Sequence, residues 1–440
     1  MSESPPNTDL NTPNELRGWL MLPAGGSASP AADDPFGFPA VRLAPGVVKL
    51  DDAQIAEVVE DADALRDEAD RRRVICPALT DTHLHLPQFG VIGAHGLELL
   101  DWLDRFVFPA EACWADAGFA RREAESVANQ LLAVGTVGVA AYGTAHHAGV
   151  REALDVFQTL NFRGVIGQVL MNRNAPPELT PPRDQQLEQA AQLQDDWAGA
   201  VDAGMAAAVT PRFAISCTAE LLEGAGRLAE EHDAFVQTHL SETPRECDSV
   251  AELFDGASYV SVYADAGLLT DRTLYGHGIH LDDTDRTALC EANAIIAHCP
   301  TANDFLGAGA MPLQEHRAAS VRVSLGSDVG AGYERSMVRV ARNMLLTAAR
   351  RGTPIPSAAQ AWSMITAGNA EILSPREPSE PTGVLTSGAR ADVLVIEPDT
   401  PDHAWHPEHH ADPLAALLWA WDDRWLKRTI AAGETRFARA

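Results

Sequence analysis

Val74-Ile-Cys-Pro-Ala-Leu-Thr-Asp81-Thr-His83-Leu-His85 is the stretch on which the fold turns. An apolar run ends in a polar cluster, as expected where a buried strand delivers its last residues to a reactive face. On an extended strand, residues two apart share a face, so His83 and His85 point the same way, which suits two imidazoles on one metal ion. By itself a His-x-His pair is a weak signal that chance often produces. The chain around it gives it weight.

Further apolar runs follow at Thr136 to Ala141, Phe162 to Leu170, Ala206 to Val209, Phe235 to His239, Ile295 to Ala297 and Val321 to Leu325. Longer Ala-, Leu-, Glu- and Arg-rich stretches separate them, the alternation of parallel βα units. Over roughly 300 residues this predicts a (β/α)8 TIM barrel rather than an open sheet, because polar motifs follow directly on apolar runs. The flanks carry shorter β-like pieces, Val41 to Leu50, Ala391 to Ile396 and Thr429 to Phe437, punctuated by Gly and Pro. They predict a small β-sandwich-like domain formed from both chain ends. The expected division is a tail at 1–14, the β domain at 15–76 and 376–440, and the barrel at 77–375, with Ser374 to Pro381 as a linker.

The 440 residues are 46% hydrophobic and 22% charged, the balance of a folded globular chain. A net charge of −29 opposes nucleic acid and anionic lipid as partners. The start has no basic segment followed by an apolar one, and no run approaches the roughly 18 apolar residues of a spanning helix, so a cytoplasmic protein without a membrane partner is expected. Six scattered cysteines form no Cys-x-x-Cys pair, which argues against a disulfide framework or thiolate zinc. Adaptation to a salty cytoplasm and a GC-rich genome both fit the acidic, lysine-poor composition.

Three more segments place a metal ligand at the end of a β-like run: Val236-Gln-Thr-His239, Leu274-Tyr-Gly-His277 and Leu325-Gly-Ser-Asp328. In a barrel those ends meet on one face. Imidazoles plus a carboxylate, with one position left for water, describe a catalytic rather than a structural zinc site. Any one of these histidines is more often a satisfied structural residue; four placements in order reverse that. The only lysines, Lys49 and Lys427, lie outside the barrel. A two-metal site bridged by a carboxylated lysine is therefore excluded, as is Schiff-base chemistry, and one metal is expected. Glu242, three residues past His239, is placed to move protons beside a metal-activated water. The bland alternative is a helix-start carboxylate, since Ser241-Glu242-Thr243-Pro244 reads as a helix opening.

Pro77-Ala-Leu-Thr-Asp-Thr-His-Leu-His-Leu-Pro-Gln-Phe89, Leu99-Leu-Asp-Trp-Leu103, Phe108-Pro-Ala-Glu111, Thr210-Pro-Arg-Phe213, His239-Leu-Ser-Glu242, Gly276-His-Gly278, His298-Cys-Pro-Thr-Ala-Asn303 and Gly326-Ser-Asp-Val-Gly-Ala-Gly332 follow one another along the chain. Together they resemble the amidohydrolase superfamily and, within it, the guanine deaminase family, over about residues 74–375. The resemblance implies that His83, His85, His239 and Asp328 hold one Zn2+ per chain, with Fe2+ the alternative, and that His277 orients the hydrolytic water or contacts the metal. It implies that Gln88, Arg212, Phe213 and Glu242 read the purine, that Glu242, His277 and Asp328 serve catalysis, and that the enzyme is a homodimer converting guanine to xanthine and ammonia. An Arg donor suits the guanine O6 acceptor and leaves the adenine amine unpaired. The rivals are another mononuclear amidohydrolase acting on a different purine or a triazine-like ring, and a non-enzymatic scaffold.

Ala302, Asp304 and Glu334-Arg335 depart from the family pattern and bear on pocket shape. His403-Ala-Trp-His406-Pro-Glu-His409-His410 reads as a solvated loop rather than a second metal site, and Trp419 to Trp425 as core or subunit contact. His146, His147 and His280 receive no role, and His298 and Asn303 are expected behind the ligands.

Overall fold

A computed structural model describes residues 11–25, 35–197, 204–376, 378–401 and 404–439. Most of the expected tail, Glu377 of the linker and His403 lie outside the described residues.

Four strands open the chain: β1 (Glu15–Pro23), β2 (Val41–Asp51), β3 (Gln54–Glu60) and β4 (Val74–Pro77). Eight follow in the barrel: β5 (Leu79–His85), β6 (Thr136–Tyr142), β7 (Arg163–Leu170), β8 (Met205–Pro211), β9 (Phe235–Leu240), β10 (Thr273–His277), β11 (Ile295–His298) and β12 (Arg322–Leu325). Three close the chain: β13 (Val393–Ile396), β14 (Leu426–Ala431) and β15 (Glu434–Ala438).

β5 to β12 pair in parallel in sequence order, with helices such as Ala117–Leu132, His147–Thr159, Ala219–His232 and Met337–Arg351 between them, giving the (β/α)8 barrel. Barrel strands are covered on both faces, which explains their unbroken Val, Ile and Ala runs. Ala140, Val165, Ala206, Ala208, Leu274 and Ile295 belong to a cluster separate from the main core.

The ring closes between β12 and β5 largely through side chains. Thr82 Oγ1 lies 2.9 Å from Leu325 O. Asn369 Nδ2 donates to Thr80 O at 2.7 Å and to Leu325 O at 2.8 Å, while its Oδ1 accepts from Leu325 N at 3.0 Å. Asp328 N then donates to His83 O at 2.7 Å. Two segments far apart in sequence are thus tied where both leave the barrel.

Both chain ends build a second, mixed sheet in the order β15-β14-β13-β4-β1-β2-β3. β1 runs parallel to β4, and the other neighbours are antiparallel. A single residue, Ala78, carries the chain from this sheet into the barrel, its N–H bonded to Asp392 O at 3.0 Å. The piece expected as one strand from Thr429 to Phe437 is a hairpin, because Ala432 and Gly433 take φ of 46° and 77°. Two such residues form the mirror-image turn that suits the twist of paired strands. A Cβ at Gly433 would sit 1.7 Å from Asp52 O, so the position admits only glycine. β1 carries no alternation because its two faces enter different cores, Leu16, Leu20 and Leu22 in one and Trp19 and Met21 in the other.

Replacing Asn369 with Ala strands the Leu325 N–H and the Thr80 carbonyl inside the seam. A loss of about 2 to 4 kcal/mol is expected, read as a lower denaturant midpoint; an unchanged midpoint would show that the seam holds without this clip.

Candidate active site

The ends of β5, β9 and β10 and the turn after β12 bring His83, His85, His239, His277 and Asp328 together under the barrel rim. His83 and His277 are fully buried, and the other three are at most 9% exposed. His83, His85 and His239 offer nitrogens within 4.8 Å of one another, and so do His83, His277 and Asp328 with their ligand atoms. His85 Nε2 lies 3.1 Å from His239 Nε2 and 3.3 Å from Asp328 Oδ1, and His83 Nε2 is 3.5 Å from the same oxygen. His277 and Asp328 hold φ of 73° and 49°, left-handed values that cost a non-glycine residue energy and that aim both side chains inward. Room for the His83 ring comes from neighbours without side chains: a Cβ at Gly276 would meet His83 Cε1 at 2.6 Å.

The donor chemistry fits a cation. Both ring nitrogens of His83, Nδ1 of His85, Nε2 of His277 and both oxygens of Asp328 are buried with no hydrogen-bond partner among the described residues. His239 Nδ1 lies 2.7 Å from Arg212 O, a pure acceptor, so the proton sits on Nδ1 and the Nε2 lone pair faces the centre. His277 Nδ1 makes the same choice against Asn303 Oδ1 at 2.9 Å. Burial pushes the imidazoles of His83, His85 and His239 well below their usual range, which keeps them neutral, the form that binds metal. Burial likewise raises the Asp328 carboxyl to about 7, against the pull of His277 and Arg212. A cation at the centre reverses that preference.

Glu242 stands on the pocket side, its Oε2 3.5 Å from His277 Nε2 and its Oε1 without a partner among the described residues. Burial first, then the nearby Glu246 and Asp328, pushes its carboxyl well above the usual range, toward the protonated form. The helix Pro244–Leu253 does begin just beyond it, but Thr243 and Glu246 form the capping box. Glu246 Oε2 accepts from Glu242 N at 2.8 Å, so Glu242 is the residue being held, and its side chain is left free of capping duty.

Gln88, Arg212, Phe213 and Glu242 line one pocket with His85, His239, His277 and Asp328, together with Leu99, Trp102 and Leu103. Every sequence-derived site residue except His83 therefore borders a single cavity. Arg212 Nη1 and Gln88 Nε2 both reach Glu111 Oε1, at 2.6 Å and 3.3 Å. Glu111 has no role in the sequence reading; its signal was a carboxylate beside Phe108-Pro109 with no counter-charge in reach along the chain.

The departures from the family pattern have local explanations. Ala302 is fully buried under Gly332, Asp304 binds Arg350 and Asn343 at the surface, and Glu334 accepts from Ser336 N at 2.9 Å. His406, Glu408 and His409 cluster, yet His406 Nε2 donates to Arg71 O at 3.1 Å and Nδ1 accepts from Glu408 N at 3.3 Å, so neither nitrogen is free. Trp421 and Trp425 are core residues. His280 donates to Ala308 O and His147 meets Gln168. His298 is buried without a hydrogen-bond partner among the described residues, and burial depresses its pKa to about 3.

Residues 74–436 match the amidohydrolase family. A guanine deaminase of Escherichia coli (strain K12) is 32% identical over 383 residues, 86% of each chain. The solved E. coli guanine deaminase superposes with a TM-score of 0.87 at 29% identity, covering 97% of this chain and 100% of the other. A guanine deaminase from C. acetobutylicum, solved with guanine in its active site, gives 0.84 at 26% identity over 96% and 100%.

A methyl group at position 276 must displace the His83 ring. Gly276→Ala is expected to lower bound metal at least about tenfold while the barrel stays folded by circular dichroism; full metal content in this variant would remove His83 from the ligand set.

Proposed function

The chain belongs to the amidohydrolase family, and from that premise we propose that it hydrolyses guanine to xanthine and ammonia. The observation that carries the reading is the buried Arg212 beside Gln88 and Glu242, in the same cavity as the histidine cluster. Guanine presents a carbonyl oxygen where adenine presents an amine. A buried guanidinium N–H turned toward the ring is met by the carbonyl oxygen of the first and opposed by the amine of the second.

In this reading His83, His85, His239 and Asp328 hold one Zn2+, with Fe2+ the alternative, and His277 faces the attacking water. When bound, the ion supplies the Lewis acidity that makes water a nucleophile near neutral pH. Arg212 donates to O6, Gln88 bonds the same edge, and Phe213 packs on the purine. Asp328 takes a proton from the water as its oxygen adds to C2. Glu242, kept protonated by its burial, gives its proton to ring N3, so charge does not accumulate on the ring. Asp328 then passes its proton to the exocyclic amine, ammonia leaves, and the proton of the C2 hydroxyl returns to Glu242 as the C2 carbonyl of xanthine forms with N3–H retained. A cytoplasmic homodimer belongs to the same proposal. Among the described residues no helix is long and apolar enough to cross a membrane.

Purified, metal-replete protein is offered guanine, adenine, cytosine and an aminotriazine, with ammonia and ultraviolet absorbance followed in parallel. Ammonia is expected from guanine alone, falling about 10³-fold in Glu242→Gln. Turnover of adenine or the triazine in preference to guanine would overturn the substrate, and full activity in Glu242→Gln the proton route.

A further inference from the structure

Glu111 is fully buried in the short helix Phe108–Ala112, and Thr144 Oγ1 donates to its backbone oxygen at 3.2 Å. Its Oε1 accepts from both Gln88 Nε2 and Arg212 Nη1. The Arg212 and Glu111 side chains are only 3% and 1% exposed, so the carboxylate is the buried counter-charge of the guanidinium. From these contacts we infer that Glu111 is a positioning residue that sets purine specificity, fixing Arg212 as a donor and Gln88 as an acceptor side by side in the pocket. The inference rests on the proposed reading of guanine by those two residues.

An ionised carboxylate accepts hydrogen bonds and cannot donate. The Gln88 amide must therefore turn its NH2 toward Glu111. Its Oε1 is left over, buried and without a partner among the described residues. Rotation is restricted from the other side: at Gly330, where φ is 116°, a Cβ would lie 2.4 Å from Gln88 Cβ and 3.1 Å from Gln88 Oε1, so the backbone itself packs against this amide. Arg212 is likewise constrained, its Cζ 5.5 Å from the Phe108 ring centroid and its Nη1 committed to Glu111. A donor beside an acceptor complements a ring carbonyl beside a ring N–H. Guanine carries that edge at O6 and N1; adenine carries its inverse, an amine beside a bare nitrogen.

A neutral amide at position 111 both donates and accepts, so Glu111→Gln frees the Gln88 amide to present either end and removes the charge that holds Arg212. Two unreactive probes separate this from general damage. Hypoxanthine has the carbonyl and N–H edge but no amine at C2; unsubstituted purine lacks the edge. In Glu111→Gln, hypoxanthine is expected to inhibit about tenfold or more weakly, with purine changed less than about twofold, and guanine is expected to lose more through KM than through kcat. Loss of a buried charge partner can unfold a protein, so metal content and unfolding temperature are measured alongside. If Glu111→Gln does not fold, Glu111→Asp, which keeps the charge but withdraws the carboxylate by one carbon, is measured against the same probes with the same expectation. Equal weakening of both probes, or no weakening of either, overturns the inference. A wild-type protein that neither deaminates guanine nor prefers hypoxanthine to purine overturns the functional reading beneath it.

Discussion

Three imidazoles held neutral by burial, a fourth whose free nitrogen also faces inward, and a carboxylate share one interior point with little of the protein to bond to. Buried polar groups without partners each cost on the order of 1 to 3 kcal/mol. No arrangement of five such groups persists in a folded chain unless something compensates it, and a divalent cation is the compensation their chemistry fits. Much of the surrounding structure follows from gathering them. Left-handed backbone at His277 and Asp328, glycines at 276 and 326 against the His83 ring, and second bonds from Arg212 O and Asn303 all serve to aim lone pairs at that point.

The barrel supplies the convergence, and its seam supplies the precision. β5 brings His83 and His85, and the turn after β12 brings Asp328; between them the ring relies on Asn369, Thr82 and the bond from Asp328 N to His83 O. Asp81 strengthens the same seam, accepting from Ser327 N at 2.9 Å and from the Ser327 hydroxyl. The Asp-x-His-x-His stretch thus does two jobs on one strand: its histidines face the centre while its aspartate ties the seam.

Much of this was legible in the sequence because strand periodicity and barrel geometry together dictate where a residue at the end of a strand must point. His83, His85, His239, His277 and Asp328 could be placed on one face for that reason alone. The hairpin at Ala432-Gly433 was not, since its turn lacks the Asn or Asp that usually announces such a turn, and glycine is required there by the approach of Asp52 O. Glu111 escaped for a different reason. Its partners, Gln88 and Arg212, are 23 and 101 residues away along the chain, and only tertiary packing brings them to one oxygen. The second chemical layer of a site is built from such distant pairs, whereas ligands at strand ends obey a local rule.

The central claim is that one divalent cation compensates the buried donors, and it is tested by thermal unfolding of the chelator-treated protein as Zn2+ is returned, with bound metal counted by native mass spectrometry. The account predicts one ion per chain and a rise in unfolding temperature that reflects about 4 kcal/mol when free metal is a thousand times its dissociation constant. A chain that binds no ion under these conditions, or binds one without any change in unfolding, would contradict it.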